Sequence, residues 1–338
     1  MVKPQPSKLM TRVRFSSPAP ISTYTREDLA HIHCTVETLQ KQKVTRLSAF
    51  LLFHPLFWGK ERLNPYRRGG TPLIQAKLQS FTVYESALMR TTSTLIDTPD
   101  ALLLIDPTWL PEEIATIRRD IELQRRNRPL YVIFTHHHFD HIIGAYGFSD
   151  ATTIASQAFV DADSSDQLNE IREFYEQYYI DHPIQKPDID LVIQPDQTIL
   201  IGSVPVTFLS TPGHDATHMS VLIESMNLLV CGDYGSNVEP PFIEHDPTAY
   251  LDTLQTLQSL IYEHEIRWFV PGHGDLCDSR SHMIERLSAA EEYILALPEE
   301  RHWSPAWPEH AFFDRVHERN RKMVEQKETD RRSRQQDI

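Results

Sequence analysis

Residues 135–141 read THHHFDH and follow directly on the apolar run LYVIF at 130–134. Four groups able to ligate a metal, His136, His138, Asp140 and His141, fall within six residues. A strand that ends in a sharp turn can aim His136 and His138 at one ion while Asp140 and His141 face a second. Imidazole and carboxylate are the donors that suit Zn2+ and other first-row metals. The chain holds 17 His, enough for one cluster to arise by chance in a solvated loop. The decision therefore rests on what else the chain carries.

Three more apolar runs end in the same manner. STPGH at 210–214 follows the run at 204–209, CGD at 231–233 follows 228–230, and PGHG at 271–274 follows 268–270. Each places one His or Asp just past a strand, beside a Gly that lets the backbone turn tightly. Further strand-like runs are expected at 81–84, 92–97, 101–106, 152–155, 191–193, 198–201 and 219–223. Helical patterns cover 112–126, with Pro111 at the start and Ile114, Ile117 and Ile121 along one face, and also 165–179, 247–263 and 279–297. Strands mixed with helices over about 220 residues indicate an α/β protein with layered sheets.

The set HxHxDH, TPGH, GD and PGH, in that order over residues 76–297, resembles the metallo-β-lactamase superfamily of metallohydrolases. The resemblance implies an αβ/βα sandwich, two β-sheets packed face to face with helices on the outer faces. It implies that His136, His138 and His214 hold one divalent ion, that Asp140, His141 and His273 hold a second, and that Asp233 bridges them. Asp106, at the end of the run 102–105, matches an early motif aspartate that supports the metal-binding loop. Zn2+ is the first choice for both ions, with Fe or Mn as alternatives. His137 occupies a variable motif position and is not carried over. His218 is either a hydrogen-bond partner of a ligand or a polar residue at a strand start. Tyr234, next to Asp233, is a candidate catalytic residue together with Asp140 and Asp233. Cys231 and Cys277 read as small core residues. Tyr175, Tyr178 and Tyr179 read as packing residues or as lining of a substrate mouth, and residues 235–246 as an exposed loop forming another wall.

Seven ligands of this kind, two metal ions and a bridging hydroxide leave a net charge of about +1, suited to a small anionic substrate. Metal ions lower the pKa of bound water to about 7, so hydroxide is available at neutral pH. The expected reaction is hydrolysis of a small ester-like bond, a thioester or a lactone. The loop at 135–141 resembles that of hydroxyacylglutathione hydrolases, but the tail here shows no match to their C-terminal glutathione-binding domain. An aspartate at position 233 disfavours a true zinc β-lactamase. An iron-dependent oxidoreductase resembling persulfide dioxygenases and a small-nucleotide phosphodiesterase are the alternatives.

With 40% hydrophobic and 24% charged residues the chain is globular in composition. Its net charge of −14 hides a division: residues 1–75 hold 12 Lys+Arg and 4 Asp+Glu, so the remainder carries −22. So acidic a body repels nucleic acid. Residues 1–75 are expected to be a loosely structured basic extension containing a short helix at 26–46, and 298–338 a partly helical tail with a frayed end. The apolar run LSAFLLFHPLFW at 47–58 is too short to span a bilayer. Three cysteines without a CxxC pair suit a reducing compartment, so a cytoplasmic protein without a membrane partner is expected.

Overall fold

Strands β4 (Leu102–Ile105), β5 (Leu130–Ile133), β10 (Met219–Ile223) and β11 (Leu228–Val230) are apolar along nearly their whole length. Such strands must be covered on both faces, and they are. The computed structural model describes residues 73–107, 110–178, 183–299, 307 and 311–336. Among these, β4, β5 and β10 join β1 (Leu73–Lys77), β2 (Phe81–Glu85), β3 (Thr92–Asp97), β6 (Thr152–Ser156), β7 (Leu191–Ile193), β8 (Gln197–Ile201), β9 (Val204–Ser210) and β12 (Trp268–Val270) with β11 in two sheets. One sheet runs in the order β1 to β7, antiparallel up to β4 and parallel from β4 onward. The other runs β12-β11-β10-β9-β8, with only β11 and β12 parallel.

The period of two along each strand divides its side chains between cores. Leu103 and Ile105 of β4 meet Val221 and Ile223 of β10 and Val230 of β11 between the sheets. Leu102 and Leu104 face the opposite way, onto Ile114, Ile117 and Ile121 of helix α1 (Pro111–Arg125). On the second sheet Leu222, Leu229 and Phe269 face α5 (Pro247–Glu263) and α6 (Arg280–Ala296). The order is helix, sheet, sheet, helix, the sandwich that the motifs imply. The remaining helices are α2 (Phe139–Ile142), α3 (Gln157–Asp161), α4 (Ser165–Tyr178) and α7 (Ala311–Gln336).

Two expectations are revised at the ends of this unit. Strand β1 begins at Leu73, and Gln75 within it binds the segment after His273, donating to the Gly274 carbonyl at 2.7 Å and accepting from Leu276 N at 2.8 Å. The segment read as a partly helical tail carries the 26-residue helix α7, whose first half packs on the body while residues 325–333 are exposed. Phe312, Val316, Asn320 and Val324 recur every four residues on its buried face. Charged residues fill the other faces, so the apolar stripe is narrow and easily overlooked in the sequence. Asn320 is fully buried; it accepts from Ile243 N and donates to the Pro241 carbonyl and the Tyr293 hydroxyl. The basic extension up to residue 72, its expected helix at 26–46 and Cys34 lie outside the described residues. No helix among the described residues is long and apolar enough to cross a membrane.

Glu113, buried in the first turn of α1, accepts from Ser86 Oγ and Ala87 N and so fixes the loop after β2. Burial pushes its carboxyl up to about 7. A raised carboxyl pKa means that the folded state holds a proton that the unfolded chain releases, so stability falls as pH rises from about 4.5 to about 7. Glu113→Gln should remove that slope, and denaturant melts should show the variant gaining on the parent between pH 5 and pH 8. Asn320→Ala strands three buried polar groups and should cost about 2–4 kcal/mol in the same measurement, whereas the exposed Arg331→Ala should cost almost nothing.

Candidate metal centre

Residues from the ends of β4, β5, β9, β11 and β12 meet at one edge of the sandwich. The sheets are stitched together there. Thr92 N donates to the Gly272 carbonyl at 2.7 Å, Thr92 Oγ1 to the Pro271 carbonyl at 2.6 Å, and Met219 N to the Thr135 carbonyl at 2.8 Å. Gly232 turns the chain with φ +53 and could not be replaced easily, since an added Cβ would fall 2.3 Å from His218 Nε2.

The expected ligands converge in two groups: His136, His138, His214 with Asp233, and Asp140, His141, His273. His214 Nε2 lies 3.3 Å and His136 Nε2 3.6 Å from Asp233 Oδ2, and His138 Nδ1 lies 3.1 Å from His214 Nε2. On the other side His141 Nε2 lies 3.1 Å and His273 Nε2 3.5 Å from Asp233 Oδ1, while the same two nitrogens lie 3.5 and 3.2 Å from Asp140 Oδ2. Donors bound tetrahedrally at about 2.0–2.2 Å stand about 3.3–3.6 Å apart. The observed spacings therefore suit donors around two ions, with one oxygen of Asp233 toward each. His136 Nε2, His141 Nε2 and Asp233 Oδ1 are buried without hydrogen-bond partners, a costly arrangement unless a cation completes it. The residues fit a metal pair.

The outer nitrogen of four of the five candidate imidazoles is hydrogen-bonded. His136 Nδ1 donates to Thr135 Oγ1 at 3.0 Å, and that hydroxyl donates to Asp106 Oδ2 at 2.6 Å. His141 Nδ1 meets Asp106 Oδ2 at 2.9 Å, His214 Nδ1 the Phe242 carbonyl at 2.8 Å, and His273 Nδ1 the Met89 carbonyl at 2.9 Å. His138 turns Nε2 toward Glu244 Oε2 at 3.3 Å. Partners of this kind orient metal-binding imidazoles and raise their basicity. Asp106, which also accepts from Thr135 N at 2.8 Å, has φ +49, a left-handed conformation that Asp tolerates better than most residues.

His218 Nε2 accepts from Asp233 N at 3.1 Å while Nδ1 meets Thr211 Oγ1 at 2.8 Å. Burial pushes its pKa down to about 3, which keeps the ring neutral and able to accept. Tyr234 does not face the ligand groups. It is fully buried, its hydroxyl donates to the Pro212 carbonyl and accepts from His214 N, and it thereby shapes the turn carrying His214. Burial opposes the charge on Asp233, yet the imidazoles of His141, His273 and His136 hold its carboxyl well below the usual range.

Three carboxylates escaped the sequence reading. Glu244 touches His138 and also accepts from Arg319 of α7 at 2.6 Å. Asp215 Oδ1 lies 3.1 Å from His137 Nδ1, and its Oδ2 lies 3.9 Å from His138 Nε2. Glu239 Oε1 lies 3.9 Å from His273 Nε2. Apart from the neighbouring ligand motifs, no local pattern marks Glu239 and Glu244. Cys231 is buried in the core, Cys277 Sγ reaches the Ser279 carbonyl, and Tyr175 packs with Phe139, Ile143 and Ile171. Tyr179 and the side chain of Tyr178 lie outside the described residues.

A family model described as the metallo-beta-lactamase superfamily matches residues 88–273. Among curated proteins, the hydroxyacylglutathione hydrolase of Bartonella henselae is 29% identical over 143 residues, which is 41% of this chain and 47% of that protein. That of Bartonella quintana is 32% identical over 115 residues, 33% of this chain and 36% of that protein. The chain thus spans less than half the length of these relatives. Among solved structures, a stereoselective inverting sec-alkylsulfatase from Pseudomonas sp. superposes with a TM-score of 0.53 at 14% identity, over 72% of this chain and 48% of that one. That likeness is one of fold alone.

Asp106→Asn removes the acceptor that His141 Nδ1 and Thr135 share. It should weaken binding of an ion at the His141 side by about 10–100-fold, read by metal titration of the chelated protein, while the circular dichroism spectrum stays unchanged.

Proposed function

Because the chain belongs to the metallo-beta-lactamase superfamily, we propose that it is a hydrolase that uses two divalent ions to cleave a small ester-like bond, a thioester or a lactone. The observation that carries this reading is Asp233, whose Oδ2 faces His136 and His214 and whose Oδ1 faces His141 and His273. When bound, a pair of ions supplies Lewis acidity at a carbonyl and lowers the pKa of water toward neutrality, the chemistry that ester cleavage needs. Three imidazoles and one carboxylate on the His136 side favour Zn2+.

The chain's own residues hold, orient and exclude. Asp106, Thr135, Glu244 and the carbonyls of Phe242 and Met89 keep the imidazoles in position, and His218 fixes the backbone of Asp233. Asp140 is the group best placed to carry a proton to the leaving atom; its Oδ2 also lies 3.4 Å from Thr91 Oγ1. Tyr234 positions His214 rather than touching the reacting atoms.

The surroundings bear on the substrate. Glu239, Glu244 and Asp215 add three carboxylates within 3.9 Å of candidate ligand imidazoles, and Arg319 adds one cation. Burial pushes the Glu239 carboxyl up to about 8, so near neutral pH Glu244, Asp215 and Arg319 move the local charge from about +1 to about 0. We therefore take the preferred substrate to be uncharged near its scissile bond, a narrower choice than the anion expected from seven ligands alone. The likeness to hydroxyacylglutathione hydrolases supports a thioester, but the matched segments cover under half of those proteins, so a lactone is kept beside it.

A panel of neutral and anionic thioesters, lactones, nitrocefin and bis(p-nitrophenyl) phosphate, run on protein of measured metal content, tests the reading. Turnover of a neutral thioester or lactone by protein holding two ions is expected. One iron per chain with oxygen uptake on a persulfide would replace hydrolysis by oxidation. His214→Ala and Asp140→Ala should each lower kcat at least a thousandfold while the fold persists, and near-parental rates in either would remove that residue from the site.

A further inference from the structure

Glu239 stands in the segment GSNVEPPFIEHD, where the sequence predicted nothing more than an exposed wall. Its carboxylate is instead mostly buried, with 14% side-chain exposure, and among the described residues its nearest cationic partner is His273, 3.9 Å away. Ligand atoms of Glu239, Asp233 and His273 all lie within 4.8 Å of one another. Two donors bound at about 2.1 Å to one ion are about 3.0 Å apart when adjacent and about 4.2 Å apart when opposite. The 3.9 Å spacing is nearer the opposite arrangement than the adjacent one. The neighbouring Asp233 Oδ1 and His141 Nε2 are both buried and without hydrogen bonds, a donor pair that a cation on this side would satisfy.

The loop presents Glu239 rigidly. Pro240 and Pro241 follow it, which restricts Glu239 itself to extended backbone. Val238 N and Glu239 N both meet Ser236 Oγ, and the Ser236 carbonyl accepts from Trp307 Nε1 at 3.1 Å. Asn237 clasps Asp275 through two hydrogen bonds, one from Asp275 N and one to its carboxylate. A carboxylate delivered by so constrained a loop binds with little ordering cost.

Resting on the dinuclear reading, we propose that Glu239 is an additional ligand of the ion held by Asp140, His141 and His273. The two halves of the centre then differ in chemistry. The His136 side has three imidazoles and one oxygen of Asp233. The His273 side has two imidazoles and three carboxylates, a harder donor set that raises the relative affinity for Mn2+ or Fe2+. Glu239 acts as a selector of the second ion and leaves the first unaffected.

The test uses chelated full-length protein reloaded with one equivalent of Zn2+ and titrated with Mn2+, with free Mn2+ read by electron paramagnetic resonance. The parent is expected to bind one Mn2+ per chain. Glu239→Gln, close to isosteric, should weaken that Mn2+ at least tenfold and leave the Zn2+ at the His136 side within twofold, which also reports an intact fold. Mn2+ affinity within twofold of the parent in Glu239→Gln overturns the assignment of Glu239. A parent chain that binds no second ion of any kind overturns the dinuclear reading beneath it, a separate and recognisable result.

Discussion

Five imidazoles turn one nitrogen each toward a shared space; in four the other nitrogen is hydrogen-bonded, and in His138 it faces the Glu244 carboxylate. A histidine ring free to rotate would aim at an ion only part of the time. Here Thr135, Glu244, Asp106 and the carbonyls of Phe242 and Met89 remove that freedom. These partners come from separate parts of the chain, so the constraint on five rings becomes a constraint on the fold. Both sheets must end at the same edge, and the bonds from Thr92 and Met219 across the gap keep them there. The apolar layer between the sheets supplies the stability, and the edge uses it to hold groups that would repel one another or lie unsatisfied if left alone.

The sandwich, and the meeting of most candidate ligands at one edge, were legible in the sequence for a definite reason. Strands such as Leu102–Ile105 and Leu228–Val230 are buried on both faces and therefore read as continuous apolar runs. Each ligand follows such a run within a few residues, so local order alone places His136, His214, Asp233 and His273 together. The partners of those ligands were harder to read. Glu244 and Arg319 are 75 residues apart, and Met89 and His273 are 184 apart. Only packing brings such pairs together, and packing leaves no mark at either position. The packing face of helix α7 was hidden by its composition, because a stripe of Phe312, Val316 and Val324 with a buried Asn320 is outnumbered by charges on its other faces.

That helix changes how the acidity of the body is understood. Arg319 and Lys327 of α7 both pair with carboxylates of the segment that carries Glu244 and Asp246. Asp246 in turn caps α5 through Thr248 N and Ala249 N. Negative charge near the centre is thus not a uniform property of the surface. It is placed on particular loops, and some of it is offset by cations from an element distant in sequence.

The position of Arg319 and Asn320 along the chain also sets an order of events. The first ligand cluster ends at His141, and a ribosome adding about 5–20 residues per second takes on the order of ten to forty seconds to reach Arg319. Throughout that interval His138 lacks the cation that steadies its partner Glu244, and the loop from Pro241 to Ile243 lacks its clasp by Asn320. His136 and His141 follow their partners Thr135 and Asp106 in the chain, whereas His138 waits for Glu244 and, later still, for the arginine that steadies it.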